Sequence, residues 1–449
     1  MRRLAVLVAV TSCTLAPRYE RPDAPVGHQF PGQGGGTLAA ADQGWRTMFG
    51  DPRLQALISL ALANNRDLRI AALQVEETRA QYRIERSALF PTVSATANGQ
   101  IYSHDAKLPS LYRVGVSASY ELDLFGRIRS LKKAALEQYL ASEEAHRAAH
   151  LALVAEVVNQ YLRQRAYDEE RDVAERTLAL VRQFAELTSR MLDAGTRSEL
   201  DLRTAEAQVA TARAEVARLR RQSAQAENAL VLLVGQPLPG NLPPAQPLES
   251  ETMIADLGAG LPSEVLLRRP DVLAAEHALR AANANIGAAR AAFFPAISLT
   301  GFAGLASTAL SGLFSGSLAW TFTPTITVPL FTGGHNRANL DLARVRERIE
   351  VARYEKAIQV AFREVADALI ARTYLDEQLA AQTERANAEQ NRFELSDQRY
   401  RTGIESYLVV ITAQQDLYAA QQQLIEVRLA RLQNLADLYQ ALGGGWRER

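Results

Sequence analysis

Residues 112–192 constrain the fold more than any other stretch, because a short strand there runs straight into a very long helix. Tyr112, Val114, Val116, Ala118, Tyr120, Leu122 and Leu124 alternate with Arg113, Gly115, Ser117, Ser119, Glu121 and Asp123. A period of two belongs to a sheet with one apolar and one wet face. After Phe125-Gly126 the pattern changes, and neither Gly nor Pro recurs before Gly195. An unbroken helix over that span extends roughly 100 Å at ~1.5 Å per residue. Ordinary globular helices have about 11–12 residues.

The chain also repeats itself. Ala80-Gln-Tyr-Arg-Ile-Glu-Arg-Ser-Ala-Leu-Phe-Pro91 parallels Ala284-Asn-Ile-Gly-Ala-Ala-Arg-Ala-Ala-Phe-Phe-Pro295 at an offset of 204, and Leu124-Phe125 is answered by Leu330-Phe331. Beyond Gly195 the offset is 208, pairing Gly195 with Gly403, Leu200 with Leu408 and Gly235 with Gly443. Residues 127–234 and 335–442 hold one Gly each and no Pro, where average usage would give about twenty in all. Those two glycines, Gly195 and Gly403, supply the left-handed residue that ends one helix and lets the chain reverse. Each run is therefore a hairpin of two helices.

These patterns divide the chain into 1–12, a signal peptide; 13–50, an N-terminal tether; 51–235, a first repeat; 236–262, a Pro- and Gly-rich linker; 263–442, a second repeat; and 443–449, a tail. Repeat 1 is expected to hold a helix from Asp51-Pro52 to Phe90-Pro91, strands near 91–103 and 112–124, and a hairpin over 127–234. Repeat 2 is expected to hold a helix, strands near 295–305 and 318–330, and a hairpin over 335–442.

Lys plus Arg equals Asp plus Glu at 50 each, so nothing points to nucleic acid as a partner. The single Cys excludes a disulfide framework. Met1-Arg-Arg is basic and Leu4–Val10 is apolar but far too short to span a bilayer, so the segment reads as an export signal. Cys13 directly after it resembles the acylated cysteine of a bacterial lipoprotein; an ordinary signal peptide or a chance Cys is the alternative.

Strands of 11–13 residues can cross the apolar core of a bilayer when tilted. A four-stranded sheet has two open edges, and lipid offers them no hydrogen-bond partner. Several copies must then close one barrel. Eight strands would be filled by side chains, and the wet face here is mostly Thr, Ser, Gly and Asn, too small to plug it. Twelve strands from three copies fit better. The helices carry Arg, Glu and Gln throughout and must stand in water.

Seven motifs carry a family resemblance: Tyr120-Glu-Leu-Asp-Leu-Phe-Gly-Arg127, Ala141-Ser-Glu-Glu-Ala145, Asn228-Ala-Leu-Val-Leu-Leu-Val-Gly235, Arg268-Arg-Pro-Asp271, Asn285-Ile-Gly-Ala-Ala-Arg-Ala-Ala-Phe-Phe-Pro295, Phe362-Arg-Glu-Val-Ala-Asp-Ala-Leu369 and Ala441-Leu-Gly-Gly-Gly-Trp446. Through them the chain resembles the outer-membrane efflux factors of the TolC/OprM type, in the lipoprotein branch that serves resistance–nodulation–division (RND) pumps. The resemblance implies an α+β membrane protein: a homotrimer with a twelve-stranded transmembrane β-barrel, four strands per chain, continuing into a periplasmic twelve-helix α-barrel. It implies passive export of drugs and toxic small molecules across the Gram-negative outer membrane. A periplasmic adaptor and an inner-membrane RND transporter would be the partners, outer-membrane lipid the surroundings, and a covalent lipid on Cys13 the anchor, with no other cofactor.

The resemblance also places Gly195, Ser198, Leu200, Gly403 and Ser406 at the periplasmic tip where an adaptor docks, with Leu408 and Thr412 at the gate constriction. Many relatives carry Asp where this chain has Thr412, so no acidic ring and no cation selectivity is expected there. The plainer reading is that these residues pack the turns. Two further roles remain open: an exit duct for secreted proteins, or a pore-less periplasmic coiled-coil scaffold. The scaffold accounts for the long helices but not for four alternating strands. No phosphate-binding loop or dinucleotide fingerprint occurs. His146 and His150 are helically spaced, but Arg147 stands where a zinc protease needs Glu, and solvated histidines are expected. No enzymatic role is expected.

Overall fold

The computed structural model describes residues 14–27, 29–30, 38–39, 44–102, 109–250, 253, 257–258, 268–315 and 317–444. Cys13, residues 1–12, much of the linker and Trp446 lie outside the described residues. The principal helices are α1 (Pro52–Asn64), α2 (Arg66–Ser87), α3 (Arg127–Asp193), α4 (Glu199–Val234), α5 (Pro270–Ala291), α6 (His335–Arg401) and α7 (Tyr407–Ala441). The strands are β1 (Thr92–Gln100), β2 (Leu111–Leu122), β3 (Ala296–Ser307) and β4 (Ser317–Thr327). Among the described residues, no helix is long and apolar enough to cross a membrane. The chain forms two compact units, one from residues up to 24 with 72–145 and 273–357, the other from 25–71, 146–272 and 358 onward.

The first unit is built on one antiparallel sheet, ordered β1-β2-β3-β4. The central pair joins the two repeats, with Tyr112 facing Ser307 and Leu122 facing Ile297. Alternation puts Val116, Ala303 and Trp320 side by side on one face, and Ser117, Phe302 and Thr321 on the other. Val93, Val116, Leu318, Trp320, Phe322 and Ile326 all remain exposed on the apolar face. Gly115 and Gly304 face each other where β2 and β3 come closest. A Cβ on Gly115 would lie 2.4 Å from the Ala303 carbonyl oxygen and 2.9 Å from the Phe302 ring, so no larger residue fits.

Three strands end earlier than the alternation predicts, β1 among them, at Gln100 rather than near 103. β4 stops at Thr327 rather than near 330, because Pro329 has no N–H to continue the ladder. β2 stops at Leu122 rather than 124, because Asp123 turns to cap α3. Its carboxylate accepts from the Ile128 and Arg129 amides at 3.1 and 2.9 Å. Glu121 beside it takes a two-pronged bond from Arg127 at 2.7 and 3.0 Å. The motif around Glu121 and Arg127 is thus a strand-to-helix joint.

In the same unit the N-terminal strap runs antiparallel to α5. The Leu15 carbonyl accepts from Arg290 at 3.1 Å and the Pro17 carbonyl from Asn283 at 3.0 Å. Further along, Tyr19 and Arg21 both donate to Glu276, Arg21 at 2.6 and 3.1 Å. Burial would raise the Glu276 carboxyl, but Arg21 and Arg280 hold it below the usual carboxylate range.

The second unit is helical. The sequence predicts one helix from Asp51 to Phe90; the chain instead breaks at Asn65, which is extended with ψ 133°. The Asn65 side chain accepts from the Leu68 amide at 2.8 Å and donates to the Leu233 carbonyl at 2.8 Å, so it caps α2 while pinning the break to α4. Trp45, Phe49, Leu54, Ile58, Tyr161, Leu230 and Tyr439 fill the core beside α1. Arg269 is buried at the start of α5. It donates to the Ala441 carbonyl at 3.0 Å, to Asp271 at 2.7 and 3.0 Å, and to Glu364 at 2.7 Å. A buried guanidinium needs such partners, which gives the Arg268-Arg-Pro-Asp271 motif a structural task at the end of α7. His146 and His150 are half-buried rather than solvated.

Candidate functional site: the paired helical turns

The two turns lie in the second unit and share one backbone design. Gly195 and Gly403 have φ of 70° and 77°, in the region that favours glycine. At the first turn the Thr196 amide bonds to the Met191 carbonyl and the Gly195 amide to Leu192, at 2.9 and 2.8 Å. At the second, the Ile404 amide bonds to Arg399 and the Gly403 amide to Tyr400, both at 2.9 Å. Both are Schellman closures, which satisfy the last carbonyls of α3 and α6.

The helices that leave these turns begin differently. Ser198 accepts from the Asp201 amide at 3.2 Å while Asp201 accepts from the Ser198 amide at 3.1 Å, a reciprocal capping box. Ser406 makes no side-chain cap bond; the Val409 amide goes to the Ser406 backbone carbonyl at 3.2 Å, and Val409, in the place of Asp201, has no carboxylate to return to the Ser406 amide. Instead Glu405 is held by Arg399 at 3.1 Å.

An aromatic cluster joins the turns. Phe184 of α3, Tyr400 of α6 and Tyr407 of α7 are mutually 5.7–6.4 Å apart, with Ala205, Val410 and Ile411 packed around them. The Arg197 guanidinium sits 5.4 Å from the Tyr400 ring centre. Burial, with Tyr400 and Asp201 nearby, pushes the Tyr407 phenol up to about 12, so it stays neutral.

Outside this cluster the surface is apolar and open. Leu200 is 75% exposed and Leu408 70%, with Ile404 also exposed. The Thr412 hydroxyl donates to the Leu408 carbonyl at 2.9 Å, and the Thr204 hydroxyl donates to Leu200 at 2.8 Å. Leu200/Thr204 and Leu408/Thr412 are therefore the same stripe, one per hairpin, and the 208-residue offset could have disclosed Thr204. No free carboxylate takes the place of an acid at Thr412: one turn on, Asp416 is paired with Arg392.

Further along the hairpins a groove of about 660 Å³ opens between α3, α4 and α7, lined by Gln208, Ala212, Gln414 and Tyr418 among others. Beside it Glu215 accepts from Arg218 at 2.5 and 2.8 Å, and from Tyr418 and Gln422 at 3.2 Å. Glu170 of α3 is buried near this network. Burial and then the like charge of Glu426 push its carboxyl up to about 7, against the pull of Arg218. No local pattern distinguishes Glu170 in the sequence from other helix carboxylates. Among the described residues, no group of three or more potential metal ligands comes together.

A model of the outer membrane efflux protein family matches residues 57–236 and 261–444, the greater part of both repeats. The chain belongs to that family. It is 45% identical to the probable efflux pump outer membrane protein TtgC of Pseudomonas putida, over 100% of this chain and 97% of that one. It is 43% identical to the cation efflux system protein CusC of Escherichia coli, over 99% and 98%. Its structure is similar to the open state of the MtrE outer membrane channel of Neisseria gonorrhoeae, with TM-score 0.89, 44% identity and coverage of 97% and 99%. It is thus an efflux protein of the outer membrane, and its role is transport.

Two tests follow from this geometry. Ser198→Ala should loosen the first turn of α4 by about 1 kcal/mol, read as faster amide exchange at Leu200–Leu202, whereas Ser406→Ala should leave α7 nearly unchanged; equal effects would rule out the asymmetric caps. For Glu170 the folded-state value lies above the ordinary Glu value of 4.5, so the group penalises the fold increasingly as pH rises from about 4.5 to about 7. Glu170→Gln should therefore slow exchange in α3 and α7 at pH 8, by up to about 3 kcal/mol, and change little at pH 4. An effect independent of pH would place the charge in water, and the opposite trend would mean a carboxylate stabilised by its pairing with Arg218.

Proposed function

We propose that three copies of this chain close a twelve-stranded barrel in the outer membrane, continuing into a periplasmic tube of twelve helices, and that drugs and toxic small molecules leave through it. The observation that carries this reading is the four-stranded sheet, whose apolar face is exposed on β1 and β4, each of which has a single neighbour. In lipid an unpaired backbone group costs several kcal/mol, so a spanning sheet must close. A pore-less scaffold leaves such a sheet unexplained. The wet face is mostly Thr, Ser and Gly, with Arg113 and the Arg127-paired Glu121 as its charges in β2, which suits a passive duct whose selectivity lies in its partners. Relatives named for toluene and solvent efflux and for cation efflux fit that division of labour.

An inner-membrane RND transporter would supply the energy and a periplasmic adaptor the link, docking at the turns around Gly195, Ser198, Leu200, Gly403 and Ser406. Leu408 and Thr412 would form the constriction, opened by displacement of the tip helices when partners bind. Cys13 would carry the lipid. The strap supports this, since it brings residue 15 to the end of α5 that leads into β3.

Deletion of the gene should sensitise the host to several unrelated drugs, with full rescue by the intact chain. In planar bilayers Leu408→Ala should conduct more than wild type; unchanged conductance would remove Leu408 from the gate, and failure of the wild type to conduct at all would remove the duct. Intact mass of the mature chain should show the mass of attached acyl chains on a polypeptide starting at Cys13. A bare N-terminus there would end the anchor reading.

A further inference from the structure

The groove between α3, α4 and α7 has no twin in the repeat. Gln414, Tyr418 and Gln422 stand four residues apart on α7 and line it from one helical face. At the offset of 208 their equivalents in α4 are Glu206, Ala210 and Ala214. A helical hairpin of this kind therefore does not in itself require two amides and a phenol here. Two of the three are used inside the chain. Tyr418 and Gln422 both donate to Glu215 at 3.2 Å, and Gln422 also donates to Tyr418 at 2.9 Å. Gln414 is not. It is only 6% exposed, yet its carboxamide has no hydrogen-bond partner among the described residues. A buried amide left without a partner is costly to keep, and the groove is the space from which this one can be reached.

The walls of the groove carry two charges, and these cancel. Glu215 takes both prongs of Arg218 at 2.5 and 2.8 Å, and Arg218 gives its remaining nitrogen to Gln222 at 2.5 Å. An ion entering the groove would shed water and find no free counter-charge. Ala174, Val181 and Ala212 supply apolar lining from α3 and α4. The space of about 660 Å³ lies within the range of small-molecule sites, about 300–1,000 Å³.

We propose that this groove is a binding site for an uncharged small molecule that carries an amide on a flat aromatic body. A carboxamide offers an acceptor oxygen and a donor nitrogen, and a second amide answers both, its N–H donating to Oε1 of Gln414 and its C=O accepting from Nε2. The aromatic body rests on the alanines and Val181, beside the Tyr418 ring. Such a ligand touches α3 and α4 of the first hairpin and α7 of the second at once, so it braces one hairpin against the other. The site lies within one chain and needs no second copy. It therefore stands or falls apart from the reading of a shared barrel.

Equilibrium dialysis of the full-length protein in detergent against tritiated naphthamide, with equal detergent on both sides, tests this. The wild type should bind the probe saturably, one molecule to each chain. Gln414→Leu keeps the volume and removes both hydrogen bonds, so affinity should fall about tenfold. Ala214 is exposed at the edge of the groove, so Ala214→Trp should fill the space and abolish binding while the fold is retained. Naphthoate, the same ring bearing a charge, should bind the wild type at least about tenfold more weakly than the amide. Naphthyl methyl ketone, which accepts but cannot donate, should bind about threefold more weakly. Equal affinity for wild type and Gln414→Leu would mean that water serves the carboxamide, and would overturn the pairing. Binding that survives Ala214→Trp would place the probe in the micelle or on another surface and overturn the site. Tighter binding of naphthoate would show Arg218 free to take an anion and overturn the ligand class. No saturable binding at all would end the proposal.

Discussion

An antiparallel sheet with one apolar face and two unpaired edges is the constraint on which the rest of this molecule depends. In water the exposed Leu318, Trp320, Phe322 and Ile326 would drive aggregation, and the edges would template it. In a bilayer the face is at home, yet the edges become more costly, because no water reaches them. Closure with further strands is the one arrangement that answers both. The short side chains of the wet face would leave the interior of the proposed barrel open. The close approach of Gly115 and Gly304, covered by Phe302, shows how tightly the central pair packs.

The repeat sets the architecture, and its departures set the function. The helices of the two hairpins agree in length, α3 and α6 at 67 residues each, and both turns close on a left-handed glycine. Such features answer to backbone geometry, which tolerates little variation. Side chains at the turns diverge instead. The first turn has a capping box and few aromatics; the second has Tyr400 and Tyr407 buried together and no side-chain cap. One hairpin is held by local hydrogen bonds, the other by packing against its neighbour.

Much of the fold was legible because it rests on periodicity. Alternation from Tyr112 to Leu122 and the absence of Gly and Pro between 127 and 194 are both local signals of regular backbone. The break at Asn65 was not legible: its side chain serves α2 and α4 at once, and the second partner is 168 residues away. Strand ends were misplaced where a single atom decides, as with the missing N–H of Pro329. At the turns, Gly195 and Gly403 could be named from the repeat and the absence of other glycines, and Ser198 and Leu408 from the family resemblance. Tyr407, Arg197 and Glu170 could not, since what marks them is burial beside residues distant in sequence. Leu408 and Thr412 share a stripe because helical neighbours lie four apart; that Asp416 is already paired depends on Arg392 from another helix.

The aromatic cluster limits how a tip of this kind can open. Parting α7 from α3 within one chain would expose Tyr400, Tyr407, Phe184 and Val410. Each large apolar side chain brought into water costs roughly 1.5–3 kcal/mol, so four would cost on the order of 6–12 kcal/mol. Turning a population from mostly closed to mostly open needs only about 5.5 kcal/mol of differential binding. An adaptor would have to spend more than that on breaking the chain's own packing. Leu200, Ile404 and Leu408 carry no such tie inside the chain, because they are exposed. In the proposed trimer the cheaper movement would keep each chain's two turns together as one body and shift that body against its neighbours. Opening by this route would separate chains at their exposed leucines and leave the buried tyrosines where they are.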